Sequence, residues 1–208
     1  HVEILQECIE AGVHLFSEKP LTVNANDAKN LYQHAKEKNL IHALNFNNRF
    51  YDACEQAQKT ISTEEFGFTQ LIHGVYLQEF HALPDDYTWR YKPEVAGPMR
   101  AVTEIGSHWI DLARYWTNLE IAAVSATFAC FQRDRKLVDG RMDTAGADAN
   151  LHIASEDAAT VSFRFNNGAI GNVLLSEVSH GRGNQLKLEV TSTANSIWWN
   201  SEHPYQLN

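Results

Sequence analysis

The chain has 208 residues, 44% of them hydrophobic and 21% charged, with a net charge of −9. Its acidic balance, with no Lys/Arg cluster, excludes nucleic acid and anionic membrane as natural partners and leaves a small molecule as the expected ligand. No apolar stretch nears the ~20 residues of a membrane span, and three scattered cysteines, Cys8, Cys54 and Cys130, fit buried reduced thiols in a cytoplasmic protein, not a disulfide framework or a zinc knuckle.

The first residues are already helical in pattern. Val2, Leu5, Cys8 and Ile9 share a face over 1–11, and Gly12 is a stop signal. No strand and no Met precede this helix, so the sequence is expected to begin inside a larger unit. Strand 13–17, helix 25–38 and strand 40–46 follow, with Asn24 as N-cap. That alternation is βαβ syntax and predicts a parallel sheet. A helix from Tyr51 to Ile61, a turn at Gly67 and a strand from Thr69 to Gln78 come next. A polar, aromatic loop fills 79–98, and one helix is expected over 101–116. Beyond it the pattern is strand upon strand: 121–131, 151–154, 158–166, 169–178, 185–191 and 196–200. Asn166-Asn167-Gly168 is a hairpin turn signal, and 132–148 reads as an exposed loop. The whole predicts α/β plus α+β: the C-terminal remnant of a dinucleotide-binding Rossmann domain over 1–47, then an α/β domain over 48–208 with an open, largely antiparallel sheet. Apolar residues at Val124, Ala126 and Phe128, and at Val161, Phe163 and Phe165, are expected to face helices. Phe131 and Leu174 put bulk on the other face, and Trp198 and Trp199 point to opposite faces. A large sheet with apolar residues on both sides predicts a homodimer or homotetramer packed through it.

Three groups of residues carry chemistry. Glu18-Lys19-Pro20 ends a short apolar strand, where α/β sheets place their ligands. Lys19 there can hold an alkoxide, polarise a carbonyl or touch a cofactor ribose; paired with Glu18, it can equally be a surface lysine. Glu104 and His108 lie four apart on an expected helix and so share a face, a general-base arrangement in which the carboxylate orients the imidazole. A plain helix-surface pair fits the same spacing. Asp111, three residues on, completes a set that can in principle bind a metal, but the spacing matches no standard zinc motif, and no metal is expected. Trp89-Arg90, in the long loop, suits stacking on a nicotinamide and contact with ribose or phosphate; buried aromatics anchoring a loop would look alike. Gly181-Arg182-Gly183-Asn184 reads as a tight turn before a strand.

These residues together resemble the glucose–fructose oxidoreductase and inositol dehydrogenase family, Gfo/Idh/MocA. The matching segments are 11–20 through Glu18-Lys19-Pro20, Asn45-Phe46-Asn47-Asn48-Arg49-Phe50, Tyr76-Leu77-Gln78-Glu79, Trp89-Arg90, 104–112 with its Gly106-Ser107-His108, Glu156-Asp157-Ala158-Ala159, and Gly181-Arg182-Gly183-Asn184. The resemblance implies an NAD(P)-dependent oxidoreductase moving hydride between nicotinamide and a secondary alcohol or carbonyl of a sugar, inositol or related polyol, with NAD or NADP as cofactor. It further implies that Glu18, Lys19, Asn45, Trp89 and Arg90 contact the cofactor, and that Lys19, Glu104 and His108 are catalytic and touch substrate. Two departures stand out: Glu104 occupies the family's Asp position, and no glycine-rich phosphate loop is present. They motivate an alternative, a non-catalytic sugar-binding or regulatory paralogue. A metal-dependent hydrolase built on Glu104, His108 and Asp111 is the third reading.

Overall fold

A computed structural model describes residues 1–83, 87–131, 133–139, 141–144 and 148–208. Asp85 and Asp86 of the long polar loop, and Gly140 and Gly146 of the 132–148 segment, lie outside the described residues. At the N-terminus, α1 (Val2–Glu10) and α2 (Ala25–Glu37) pack through Leu5, Ile9, Leu31 and Ala35, with Leu15 against them. Asn24 caps α2, its side chain accepting from the Asp27 N–H at 2.9 Å. β1 (Leu15–Glu18) and β2 (His42–Asn45) pair in parallel, in a register that sets Glu18 opposite Asn45. The carboxyl ends of two neighbouring strands thus present two polar side chains side by side.

The rest is built on a six-stranded sheet. Its strands are β3 (Thr69–Leu77), β4 (Ile121–Ala129), β8 (Ala158–Phe165), β9 (Ile170–Ser176), β10 (Gln185–Ser192) and β11 (Ser196–Asn200). They run in the order β11-β10-β3-β9-β8-β4, and β3 pairs with β9 in parallel while the other four pairings are antiparallel. Helices α3 (Asp52–Ile61) and α5 (Ser107–Thr117), separated in sequence by the short α4 (Pro93–Ala96), cover one face, closing a core that includes Trp109, Trp116, Phe163, Phe165 and Trp199. Trp109 stacks on Phe163 with ring centres 5.9 Å apart and donates from Nε1 to the Lys187 carbonyl at 3.0 Å. Only glycine fits beneath it: a Cβ on Gly74 would stand 1.9 Å from the Lys187 carbonyl oxygen. Trp199 is buried, and Trp198 lies on the opposite face beneath the Lys187 ammonium, so the adjacent tryptophans do divide between the faces.

Three expectations need correction. Val161, Phe163 and Phe165 are buried against the helices, but Val124 is 65% exposed and Phe128 53%. The register pairs Val124 with Phe163 and Ala126 with Val161, so the face was read correctly; β4 is the edge strand, and the helices do not reach over it. The segment expected to be a loop carries β5 (Asp134–Val138) and β6 (Arg141–Thr144), which with β7 (Leu151–His152) form a three-stranded antiparallel sheet. Val138 pairs with Arg141, and Asp139, which follows Val138, has φ 50°. Mixed charge hid this alternation, although Arg135 and Met142 are buried. Finally, the helix expected over 101–116 is two elements: a π-helical turn, Val102–Gly106, runs directly into α5.

Candidate active site

The strand end and the π turn meet at Lys19. Half-buried just beyond β1, at a cis peptide bond to Pro20, Lys19 donates from Nζ to the backbone carbonyl of Glu104. Burial lowers its pKa from the usual lysine value; Arg90 adds to this, while Glu104, Glu177 and Glu18 oppose it. Beside it, Asn45 donates from Nδ2 to Glu18 Oε1 at 2.7 Å, locking the two strand ends together. Lys19, Glu18, Trp89, Arg90 and Glu104 line one cleft of about 700 Å³, with Thr103 and Met99 on its wall. Trp89 is 53% exposed to this cleft, and the Arg90 guanidinium stacks on its indole 4.9 Å from the ring centre. The short helical turn that carries the pair begins at Thr88, whose hydroxyl accepts from the Arg90 N–H.

Glu104 and His108 do not form the expected pair. The Glu104 carboxylate turns to Arg90, whose Nε lies 2.7 Å from Oε1, and towards His81, whose Nε2 is 3.8 Å from Oε2. Neither Glu104 Oε2 nor His108 Nδ1, both buried, has a hydrogen-bond partner among the described residues. The π turn supplies the reason. Its backbone bonds reach five residues back, as Ser107 N–H does to Val102; residues four apart then no longer stack as they would on an α-helix. Burial lowers the Glu104 carboxyl's tendency to ionise, but His81, Arg90 and Lys19 outweigh it and hold its pKa below the usual range. His108 packs edge-on against Phe46, with ring centres 5.8 Å apart, and near Tyr76. Burial, with the Lys19 charge helping and Glu18 opposing, pushes its pKa down to about 4. The imidazole is therefore neutral near pH 7, with a buried ring nitrogen that no group among the described residues satisfies.

Asp111 belongs to a different set. It forms a two-point ion pair with Arg49, Nε to Oδ2 at 2.7 Å, which ties the turn after β2 to α5. That pairing removes it from any metal set with Glu104 and His108.

Several groups to which the sequence gives no role lie behind the cleft. Arg100 is buried, paired with Asp157 and, at 2.9 Å, with Glu177. Glu156 caps the turn that follows, accepting from the Arg100 N–H at 3.0 Å and the Val102 N–H at 2.9 Å. Glu156-Asp157 was visible as a motif without a role; its role here is to seat Arg100 and the start of the π turn. Gln78 likewise donates to Asn184 Oδ1 at 2.6 Å, joining the end of β3 to the Gly181–Asn184 turn. His81 and Glu177 gave no signal, because each stands alone in sequence and gains meaning only from partners far along the chain.

Comparisons with known proteins agree with this fold. Residues 54–198 match the model of the GFO/IDH/MocA C-terminal domain, and residues 1–46 match that of the oxidoreductase family, NAD-binding Rossmann fold. The chain is 33% identical to a levoglucosan dehydrogenase of Pseudarthrobacter phenanthrenivorans over 213 residues, covering 100% of this chain and 54% of that protein. A levoglucosan dehydrogenase solved with NADH and levoglucosan superposes with a TM-score of 0.89 at 33% identity, over 100% of this chain and 53% of that one. An inositol dehydrogenase homolog from Azotobacter vinelandii, solved with NADH and myo-inositol, gives a TM-score of 0.82 at 26% identity, over 100% and 49%. The chain spans about half the length of the curated relatives it matches.

Proposed function

The chain belongs to the GFO/IDH/MocA oxidoreductase family, and from that premise we propose that it is part of a nicotinamide-dependent dehydrogenase acting on a secondary alcohol of a sugar or polyol. The observation that carries this reading is the meeting of Lys19, at a strand's carboxyl end, with the Glu104 turn in a single cleft, while the neutral His108 imidazole, though not part of the cleft's lining, lies close enough to feel the Lys19 and Glu18 charges. The unit over 1–47 serves the cofactor and that over 48–208 the substrate. The residues present suit a nicotinamide ribose: Glu18 and Asn45 offer an acceptor and a donor at adjacent strand ends, and Trp89 with Arg90 offers a face and a charge. When bound, the nicotinamide supplies the redox chemistry by accepting hydride from the carbinol carbon. Lys19 steadies the oxygen as negative charge develops on it. His108, neutral and desolvated, takes the hydroxyl proton. Glu104 acts through its carbonyl, which holds the Lys19 ammonium, and through its carboxylate, which holds Arg90 at the cleft.

Levoglucosan and myo-inositol, with which the relatives were solved, support this substrate class. Reduction of NAD or NADP by the whole protein, assayed with levoglucosan, inositols and related polyols, is the test: one of these should support turnover, and Lys19→Ala should abolish most of it. A non-catalytic paralogue is favoured by one observation, the Glu104 carboxylate turned away from His108. Polyol binding by calorimetry, without reduction of either nucleotide, would establish that reading instead. A cytoplasmic homo-oligomer is the setting we propose; among the described residues, no helix is long and apolar enough to cross a membrane.

A further inference from the structure

We propose that Glu104 and Glu177 hold a single proton between them, with His81 packed against both, and that Glu177 thereby acts as a positioning residue for Glu104 in the cleft. Three separated stretches build this cluster. Glu104 comes from the π turn, Glu177 directly follows β9, and His81 follows β3, its N–H bonded to the Glu177 carbonyl at 3.0 Å. One ligating atom from each lies within 4.8 Å of the other two. The Glu177 side chain has no exposed surface and that of His81 has 9%. In this dry setting three polar atoms lack partners among the described residues: Glu104 Oε2, Glu177 Oε1 and His81 Nδ1. Buried polar atoms are expensive to leave unpaired, and one proton between the two carboxyl groups satisfies both of them.

Charge counting points the same way. The groups facing the cluster are Lys19 from the end of β1, Arg90 from the turn after Thr88, Arg100 from the segment before the π turn, and Glu156 and Asp157 from the segment before β8. Tyr91 adds a buried phenol, 5.4 Å from His81 ring to ring and 4.8 Å beneath the Arg100 guanidinium, while Glu18 is exposed and bonded to Asn45. With Glu177 neutral, the cations Lys19, Arg90 and Arg100 balance the anions Glu104, Glu156 and Asp157. Ionising Glu177 would leave one uncompensated buried charge. Two carboxylates sharing a site cannot both ionise cheaply. Burial is the main cause that pushes the Glu177 carboxyl up, to about 9, with Glu104 and Glu156 adding to it against Arg100. A divalent metal is the competing occupant, but Arg90 and Arg100 already sit on the two carboxylates at 2.7 and 2.9 Å. A dication there would face both guanidiniums and the Lys19 ammonium.

This inference rests on reading the cleft as a dehydrogenase site only for its consequence, so its test avoids turnover. Infrared difference spectroscopy of the whole protein resolves the carbonyl stretch of a protonated carboxylic acid, which a carboxylate lacks. The wild type should show that band at neutral pH and lose it as pH is raised. Glu177→Gln should remove it. Glu104→Gln, a change at the cleft edge that spares Arg100's partners, should move its titration to lower pH by removing the neighbouring charge. Absence of the band in the wild type at neutral pH, its persistence in Glu177→Gln, or an unmoved titration in Glu104→Gln would each overturn the proposal. So would a stoichiometric divalent metal, found by elemental analysis of the purified protein and lost in Glu177→Gln. A protein with the expected band and no polyol dehydrogenase activity would instead sink the functional reading and leave the shared proton standing.

Discussion

Lys19 and His108 share one physical cause: burial disfavours the charged form of each and lowers both pKa values. On the proposed reaction Lys19 steadies the developing oxyanion, so Lys19→Ala should lower kcat by about 10²-fold. Affinity for the nicotinamide nucleotide should fall far less, because Glu18, Asn45 and Trp89 remain; steady-state kinetics beside a fluorescence titration separates the two. His108 predicts a pH dependence of stability. Its pKa is about 4 in the fold and 6.5 in the unfolded chain, so between those values the unfolded chain binds the extra proton and the folded one does not. Stability is then intact above pH 6.5 and lost as pH falls towards 4. Urea unfolding midpoints measured across that window should drop more steeply for the wild type than for His108→Gln. Parallel curves would show that the imidazole is not buried neutral.

At the scale of elements, what the sequence made legible was periodicity, and what it concealed was pairing over distance. β8 buries Ala159, Val161, Phe163 and Phe165 on strict alternation, and the pattern alone sufficed to place it. Glu18-Lys19-Pro20 was legible for the same reason, since a short apolar run ending in charge marks a strand end. The π turn was not legible, because a five-residue change of helical pitch leaves no mark in a polar and apolar pattern, and so the Glu104–His108 pairing was drawn on an α-helix that is absent there. Arg100, 57 residues from Asp157 and 77 from Glu177, is a surface-type residue in sequence and a buried one in the fold. Gly74 shows the reverse case, an ordinary glycine in a strand that the packing makes indispensable. A methyl group there would collide with the Lys187 carbonyl and come within 2.8 Å of Trp109 Nε1. Neither backbone nor indole can yield without opening the β3–β10 ladder or the Trp109 bond. Gly74→Ala should cost about 3 kcal/mol, read as a lower urea midpoint, whereas alanine at the open turn residue Gly183, where nothing lies within 4 Å, should leave the midpoint near wild type.

For the whole molecule the decisive asymmetry is between the two faces of the six-stranded sheet. One is sealed by α3 and α5; the other carries Leu71, Ile170 and Leu174, which are 41%, 57% and 43% exposed. Ile170 pairs with Leu71 across β9 and β3, and Leu174 lies four residues further along β9, so the three fall on one side of adjacent strands. His73, Asn172, Ser162 and Arg164 lie among them, giving a patch that is apolar at its points and polar between them, a composition that suits an interface better than a buried core. Val124 and Phe128 of β4 are also exposed, but on the opposite face, beyond the reach of the helices. A second copy of the sheet, laid face to face, is the cover the Leu71, Ile170 and Leu174 patch fits. Light scattering of the whole protein at micromolar concentration should give a mass above that of one chain. Ile170→Glu with Leu174→Glu, placing two charges where the sheets would meet, should shift the mass to that of a monomer while leaving the circular dichroism of the fold in place. A wild type that is already monomeric, or a double variant whose mass does not change, would show that this face is covered by something other than its own copy.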